Sequence, residues 1–165
     1  MFSAKHIGGL MMEAKYINPF INVSINIVQQ ICNVSAKKGK IYLKGSPFVA
    51  DNVVIIIGIA GDFRGQVFFS MNDKTARSIA SSMMFGMEVP ALDEMGKSAI
   101  AELGNMIMGN VSTEFYNEGI TIDITPPTVL VGSDMNISTK GVQTVCVPIE
   151  MENGTKIEID VVVSN

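Results

Sequence analysis

The 165-residue sequence has little of the side-chain chemistry that most enzymes use, and each scarcity excludes a class of site. It contains one histidine, His6, and two cysteines, Cys32 and Cys146, which lie far apart in apolar stretches. Two distant thiols form no disulfide framework, so we expect both to be buried and reduced in a cytoplasmic protein. One histidine near the N-terminus leaves no His/Cys cluster for a metal ion. We therefore expect the chain to bind no metal or other cofactor of its own.

Charged residues are also scarce. They make up 17% of the chain, with a net charge of −4, whereas about 25% is usual in a soluble protein. The densest basic cluster is Lys37, Lys38 and Lys40, which is too small to offset a run of phosphates, so nucleic-acid binding is excluded. The low charge also predicts that a second copy or another partner covers part of the apolar surface.

No hydrophobic run is long enough to cross a membrane. The longest, residues 53–60, contains Gly58 and is far shorter than the roughly 18 residues that a spanning helix needs. Residues 1–11 lack the apolar centre of a signal peptide, and we expect them to be a flexible tail or one added for expression. Residues 12–165 then form a single domain, long enough to bury a core without disulfides or metals.

Apolar residues at helical spacing predict three helices. The first covers about residues 18–34, with Pro19 in its first turn. The second is shorter; it begins at an N-cap, Asn72 or Asp73, and closes at Gly86. The third covers about residues 91–117.

The pattern of a long helix, a strand and a hairpin of long strands occurs twice, in residues 18–71 and 91–164. We therefore predict an α+β fold of two layers, in which duplicated α-β-β-β units form one antiparallel sheet of about six strands with the long helices on one face. Asn153 and Gly154 predict a type I′ turn in the last hairpin. Pro148 cannot donate to a ladder, so it predicts an edge or a bulge in its strand.

The third helix contains the stretch "KSAIAELGNMIMGN", in which polar and small residues recur at intervals of four, three and four. At about 100° per residue, Ser98, Glu102, Asn105 and Gly109 fall within an arc of about 60°. We call these four residues the polar line. On another side of the helix an apolar stripe faces the core, formed by Ile100, Leu103, Ile107 and Val111.

A polar line on a helix is most often only its solvated face, and glycines such as Gly104 and Gly109 often serve close helix packing. A solvated face is usually built from lysine, glutamate and arginine, which favour the helix. Serine, asparagine and glycine favour it less, so another pressure selects them. Glu102 is also the only charged residue between positions 99 and 111, which favours a recognition site.

The pattern Ser98-x-x-x-Glu102-x-x-Asn105-x-x-x-Gly109 resembles the active-site signature of the CheC/CheX/FliY family of bacterial chemotaxis phosphatases. The N-terminal stretch "EAKYINPFINVSINIV" resembles the start of CheX members. CheC-like members carry a Glu/Asn pair on both long helices, and the first helix here has no acid after Glu13. One pair per chain is similar to the CheX arrangement.

The resemblance implies a phosphatase that hydrolyses the phospho-aspartate of a CheY-type response regulator. Asn105 would position the attacking water, and Glu102 would pair with a lysine of the partner. Ser98 and Gly109 would leave room for the partner's loop. The Mg²⁺ would belong to the partner, and the chain would form a homodimer through its sheet edges.

Two functions stay open on these residues. One is the phosphatase; the other is a non-enzymatic module of the same fold that docks a response regulator or acts as a flagellar-switch-like scaffold. The joint presence of Glu102 and Asn105 favours the enzyme. A hydrolase with a serine nucleophile or a nucleotide-binding loop is not indicated, because the sequence has neither a Gly-x-Ser-x-Gly motif nor a P-loop.

Overall fold

The computed structural model describes residues 14–164 in full. Before residue 14 it describes only the backbone pairing of two short antiparallel strands, β1 (Lys5–Ile7) and β2 (Leu10–Met12). The predicted tail, residues 1–11, lies largely outside the described residues, and the domain boundary at residue 12 stays a prediction.

Three helices in the described part of the chain occupy the regions that the apolar spacing indicates: α1 (Ala14–Cys32), α2 (Asp73–Met83) and α3 (Glu94–Asn117). The prediction for α1 was wrong at its start, since Pro19 is buried inside the helix rather than in its first turn. Proline removes one intrahelical hydrogen bond, here to the carbonyl of Lys15. Burial of the apolar face, which includes Ile17 and Phe20, offsets that loss.

The end of α2 differs from the prediction. Asn72 is its N-cap and accepts a hydrogen bond from the Thr75 N–H at 2.8 Å, as expected. The helix stops at Met83, and the first left-handed residue is Phe85 (φ 56°), followed by Gly86 (φ 87°). The Gly86 N–H donates to the Ser81 carbonyl at 2.8 Å. The position that glycine usually fills at a helix end therefore holds a phenylalanine.

Apart from the pair β1 and β2, the strands assemble into one large antiparallel sheet and a small two-stranded one. The large sheet has six positions, in the order β3/β4, β11, β12, β7, β6, β8/β9, and β5 pairs with β10 in the small one. The strands are β3 (Ala36–Lys38), β4 (Tyr42–Lys44), β5 (Phe48–Val49), β6 (Val53–Gly61), β7 (Arg64–Met71), β8 (Ile122–Ile124), β9 (Thr128–Val131), β10 (Asn136–Ile137), β11 (Thr144–Met151) and β12 (Lys156–Ser164).

The two halves of the duplication exchange their short strands. β3 and β4 follow α1 but pair with β11, which belongs to the second half. β8 and β9 follow α3 but pair with β6, which belongs to the first half. The central pair, β7 and β12, joins one long hairpin strand from each half. The predicted duplicated antiparallel sheet of about six strands is thus confirmed.

Two local predictions about the last hairpin were wrong. The turn between β11 and β12 is not type I′, because Gly154 has a positive φ (82°) and Asn153 does not, and type I′ needs positive φ at both central residues. β11 is an inner strand of the sheet rather than an edge, and it has no bulge at Pro148, whose register with Glu158 continues that of its neighbours. Pro148 instead lies where the outer neighbour is interrupted between β3 and β4, so no ladder partner on that side needs its N–H.

The core lies between the helices and one face of the sheet. α1 and α3 cover alternate residues of the central strands, and the fully buried aromatic side chains of this core are Phe20, Phe69 and Phe115. A smaller cluster that includes Phe48, Val54 and Phe68 lies on the opposite face. Among the residues that the structure describes, no helix is both long and apolar enough to cross a membrane.

Candidate functional site

α3 is held by its cap and by the stripe that the sequence predicts. The Asp93 carboxylate accepts a hydrogen bond from the Gly96 N–H at 2.9 Å, which begins the helix. The core stripe is buried as expected, with exposed fractions between 0% and 1% for Ile100, Leu103, Ile107 and Val111. This burial fixes the rotation of α3 on the sheet and decides which side chains point outward.

All four residues of the polar line are exposed on the outer surface of α3. Glu102 and Asn105 lie one turn apart, about 4.5 Å along the helix axis. Neither side chain forms a hydrogen bond or an ion pair with any residue in the described ranges. A carboxylate and a carboxamide are therefore presented together, and both are available to a partner.

The carboxamide of Asn110, on the same helix, is hydrogen-bonded within the chain, unlike that of Asn105. Its amide nitrogen donates to the Met106 carbonyl at 2.8 Å, one turn back. The Thr113 hydroxyl donates likewise to the Gly109 carbonyl at 3.1 Å. These two side chains thus bond to their own helix, whereas those of Glu102 and Asn105 do not.

The two glycines of the stretch have different surroundings. A Cβ at Gly104 would lie 3.1 Å from Cγ2 of Ile55 and 3.4 Å from Cδ1 of Ile57, so this glycine lets α3 approach β6 closely. A Cβ at Gly109 would meet nothing within 4 Å. Close packing against β6 therefore explains the glycine at position 104. No contact among the described residues requires a glycine at position 109.

Two methionines, Met106 and Met108, belong to the stretch that contains the polar line, but neither is fully exposed. Met108 is fully buried and belongs to the core, and Met106 is half-buried and packs against it. The methionine that reaches solvent beside the polar line is Met95, one turn before Ser98. Its helical spacing could have identified it, since residues 95, 98, 102, 105 and 109 lie on one side of the helix.

A second polar cluster lies on the opposite face of the sheet. Lys44 Nζ is 2.7 Å from a Glu158 carboxylate oxygen and 3.0 Å from one of Asp160, and the Asp160 side chain is fully buried. Burial raises the pKa of Glu158, but hydrogen bonds from Lys44 and Lys156 outweigh burial and lower it to about 2. For Asp160 burial dominates and raises the pKa despite Lys44.

The same cluster contains the one group of metal-type ligands that the described ranges bring together. Cys146, Glu158 and Asp160 offer ligand atoms within 4.8 Å of one another. The Lys44 ammonium already supplies positive charge to both carboxylates. Burial raises the pKa of the Cys146 thiol, which favours the protonated form that metals bind poorly. The sequence did not reveal this cluster because its residues come from three separate strands.

The arrangement defines the class of site: a surface helix that presents an uncommitted acid–amide pair, open to a macromolecular partner, on a two-layer α/β fold. Residues 53–150 match the family model described as "Chemotaxis phosphatase CheX". The chain belongs to this CheX family of chemotaxis phosphatases.

Individual relatives agree with the family assignment. The chain is 36% identical over 131 residues to the "CheY-P phosphatase CheX" of Thermotoga maritima. The matched stretch covers 79% of this chain and 84% of the relative. It is 31% identical to a chain in the crystal structure of the CheX-CheY-BeF3-Mg²⁺ complex from Borrelia burgdorferi, with a TM-score of 0.79 over 91% of this chain and 98% of that one. A CheC-like superfamily protein from Shewanella sp. PV-4 has the same fold, with a TM-score of 0.81, 24% identity, and coverage of 93% and 100%.

Proposed function

We propose that this chain hydrolyses the phospho-aspartate of a CheY-type response regulator and that Glu102 and Asn105 carry the reaction. The observation that carries the proposal is the exposed, uncommitted Glu102–Asn105 pair in a chain of the CheX family. A CheX relative is named a CheY-P phosphatase, and a similar chain forms a complex with CheY.

An acyl phosphate needs little covalent help from an enzyme. A water oxygen forms the new bond to phosphorus, the bond between phosphorus and the aspartate oxygen breaks, and the aspartate leaves as a carboxylate. Catalysis then depends mainly on positioning and on neutralising charge. A carboxamide both accepts and donates hydrogen bonds, so Asn105 is suited to hold the water in line with the departing aspartate.

Glu102 supplies the negative charge of the site. It is the one acid on the polar line, and it lies one turn from Asn105. A lysine beside the regulator's phosphate would form an ion pair with it. That pair would fix the register of the partner and bring Asn105 opposite the phosphorus atom.

Ser98, Gly109 and the Mg²⁺ of the regulator are assigned places in the same complex. Ser98 and Gly109 are exposed and small, and they leave room for the loops of the regulator. The Mg²⁺ would be held by the regulator, consistent with the composition of the Borrelia complex. That the chain binds no metal of its own stays a prediction.

The role of Asn105 is tested by replacing it with alanine. We expect Asn105→Ala to lower the rate of phosphate release from phosphorylated CheY by about 100-fold or more, because the attacking water loses its alignment. Binding of the regulator should remain. Asn110→Ala is the matched control, since it removes a carboxamide from the same helix that bonds only to the Met106 carbonyl. Full activity of Asn105→Ala would exclude the water-positioning role.

The role of Glu102 is tested by separating binding from turnover. We expect Glu102→Ala to weaken both regulator binding and phosphate release, by about tenfold each, through loss of an ion pair at the interface. Glu94→Ala is the control, because Glu94 is an exposed acid of the same helix that pairs with Lys97 within the chain. Unchanged affinity and turnover in Glu102→Ala would rule out the register role.

The second candidate function is a docking module without activity. One assay separates the two: phosphate release from acetyl-phosphate-charged CheY, with and without this protein. A module that only docks would bind phosphorylated CheY and leave its decay rate unchanged.

We infer further that the chain acts in the cytoplasm as a homodimer joined through its sheet edges. Its substrate would be a cytoplasmic response regulator, and both cysteines are free thiols. Exposed apolar side chains lie along both edges: Tyr42 and Leu43 on β4, and Leu130 and Val131 on β9. Edge strands with such side chains favour pairing with a second chain.

A further inference from the structure

Large exposed hydrophobic side chains occur in two regions of the described chain. Those on the strands are Tyr42, Leu43, Val49, Leu130 and Val131. Those on the helical layer are Phe85, Met87, Met95 and Tyr116, all on α3 or on the segment that joins α2 to it. Scattered exposed hydrophobics are ordinary, but the second group is confined to α3 and the segment that precedes it.

Met95 and Tyr116 extend the polar line at its two ends. At about 100° per residue, both lie within about 60° of Ser98 around the helix. Their exposed fractions are 61% and 70%. Along the axis Met95 is about 10 Å from Glu102, and Tyr116 is about 16 Å from Asn105. The acid–amide pair therefore lies between two exposed apolar side chains on one face of α3.

Phe85 is exposed at an unfavourable position. It takes the left-handed conformation (φ 56°) that ends α2, where glycine is the usual residue, and its side chain is fully exposed. It takes part in none of the ring contacts among the described residues. A bulky residue in this conformation costs free energy, and such a cost is often maintained at a functional site.

The segment that carries Phe85 runs beside the start of α3. Val89 is buried, and its Cγ1 would lie 3.6 Å from a Cβ at Gly96, next to Met95. Phe85 is four residues before Val89, which places it within about 14 Å of that contact. Phe85 and Met95 thus belong to the same end of the helical layer.

We propose that Phe85, Met95 and Tyr116 are the apolar anchors on which the receiver domain of the CheY-type regulator docks. The proposal rests on the function proposed above and adds the surface that holds the partner. The distance from Met95 to Tyr116, about 32 Å along the helix, matches the width of a round patch that buries about 800 Å² per partner, the usual size of a specific interface. Glu102 and Asn105 lie inside that span, where the phosphorylated aspartate must reach them.

The receiver domain fits this surface better than a second copy of the chain does. Met95 and Tyr116 lie on either side of the acid–amide pair, which must stay open to a substrate, and a copy seated on them would cover it. The sheet edges provide separate apolar residues for self-association. Exposed aromatic and methionine side chains are also common in the central contacts of protein interfaces.

The experiment compares four single variants by kinetics and by binding. Phe85→Gly, Met95→Ser and Tyr116→Ser remove the anchors, and Val49→Ser removes a comparably exposed apolar residue from β5, away from the edges of the large sheet. The substrate is the CheY-type receiver of the same organism, phosphorylated by acetyl phosphate. The binding probe is that receiver with Mg²⁺ and BeF3⁻, which stands in for the phosphoryl group.

We expect each anchor variant to raise KM and the dissociation constant about tenfold while kcat stays within about twofold, because an anchor stabilises bound substrate and transition state alike. Val49→Ser should change neither constant. Phe85→Gly should unfold at the same temperature as the parent chain or higher, since glycine favours the left-handed conformation. A docking loss in Phe85→Gly therefore could not be ascribed to misfolding.

Two outcomes would overturn the proposal, and a third would contradict the function on which it rests. Unchanged KM and dissociation constants in all anchor variants would exclude docking on this surface, even where Asn105→Ala is inactive and the phosphatase function holds. Activity retained by Asn105→Ala would instead contradict the proposed function itself. If the anchor variants turned a dimer into monomers and left receiver binding intact, the surface would serve self-association.

Discussion

Gly109 is the residue whose role the structure separates most clearly from packing. A methyl group there would meet none of the described residues within 4 Å, and alanine favours a helix over glycine by about 1 kcal/mol. We expect Gly109→Ala to raise the free energy of unfolding by about 0.5–1 kcal/mol and to lower kcat/KM about tenfold, because the methyl group obstructs the partner. Urea unfolding and phosphate release measure the two effects.

Gly104 provides the matched control on the same helix. Its added methyl would press on Ile55 and Ile57, so Gly104→Ala should lose about 1 kcal/mol or more of stability. Activity per folded molecule should remain near that of the parent chain. A Gly109→Ala variant that is stabilised and fully active would show that Gly109 has no part in docking.

At the scale of elements, β4, β11 and β12 meet at Lys44. This lysine lies between Glu158 and the fully buried Asp160, with its own side chain 11% exposed. We expect Lys44→Met to lower the free energy of unfolding at pH 7 by about 3–5 kcal/mol, because it leaves a buried carboxylate without its counter-charge. The loss should shrink as the pH falls, since Asp160, whose pKa burial raises, then becomes neutral. Urea unfolding at several pH values measures both effects.

Lys156→Met is the control for this element. Lys156 also pairs with Glu158, at 3.1 Å, but its side chain is 51% exposed. Exposed ion pairs contribute about 0–1 kcal/mol, so this variant should lose little. Equal losses in both variants would contradict the view that burial of Asp160 sets the cost.

The elements differ in how far the sequence could predict them. The rotation of α3, and with it the exposure of Glu102 and Asn105, was predictable because four apolar residues at helical spacing admit one orientation on a sheet. The start of α1 was not, because Pro19 is tolerated only through tertiary burial. The type I′ assignment was wrong because Asn-Gly favours that turn without excluding others.

The sequence predicted the part of the candidate site that depends on the spacing of residues along α3. The polar line depends only on local helix geometry, which residue spacing gives directly. Two features depend on long-range packing: the absence of any neighbour around Gly109, and the cluster that joins Lys44 to Asp160. Phe85 was missed because the adjacent Gly86 satisfies the usual pattern for a helix end.

The assembly of two chains is predicted to depend on the edge strands of the large sheet. We expect the parent chain to be a dimer in solution, and Leu130→Lys or Leu43→Lys to yield a monomer, because a charge on an edge strand opposes pairing with a second sheet. Light scattering coupled to gel filtration measures the mass. Phe85→Gly, on the segment between α2 and α3 rather than on an edge strand, is the control and should leave the dimer intact. A monomeric parent chain, or a dimer that survives both lysine variants, would contradict the edge assignment.

The exchange of short strands between the two halves has a consequence for how the chain can be divided. Each half supplies the outermost strands of the other half's hairpin, so neither half can complete its own sheet. A cut in the segment between α2 and α3 would therefore yield two complementing fragments, each stable only in the presence of the other. The acid–amide pair lies on one fragment, but the strands beneath it come from both, so the activity would be restored only by their reassociation.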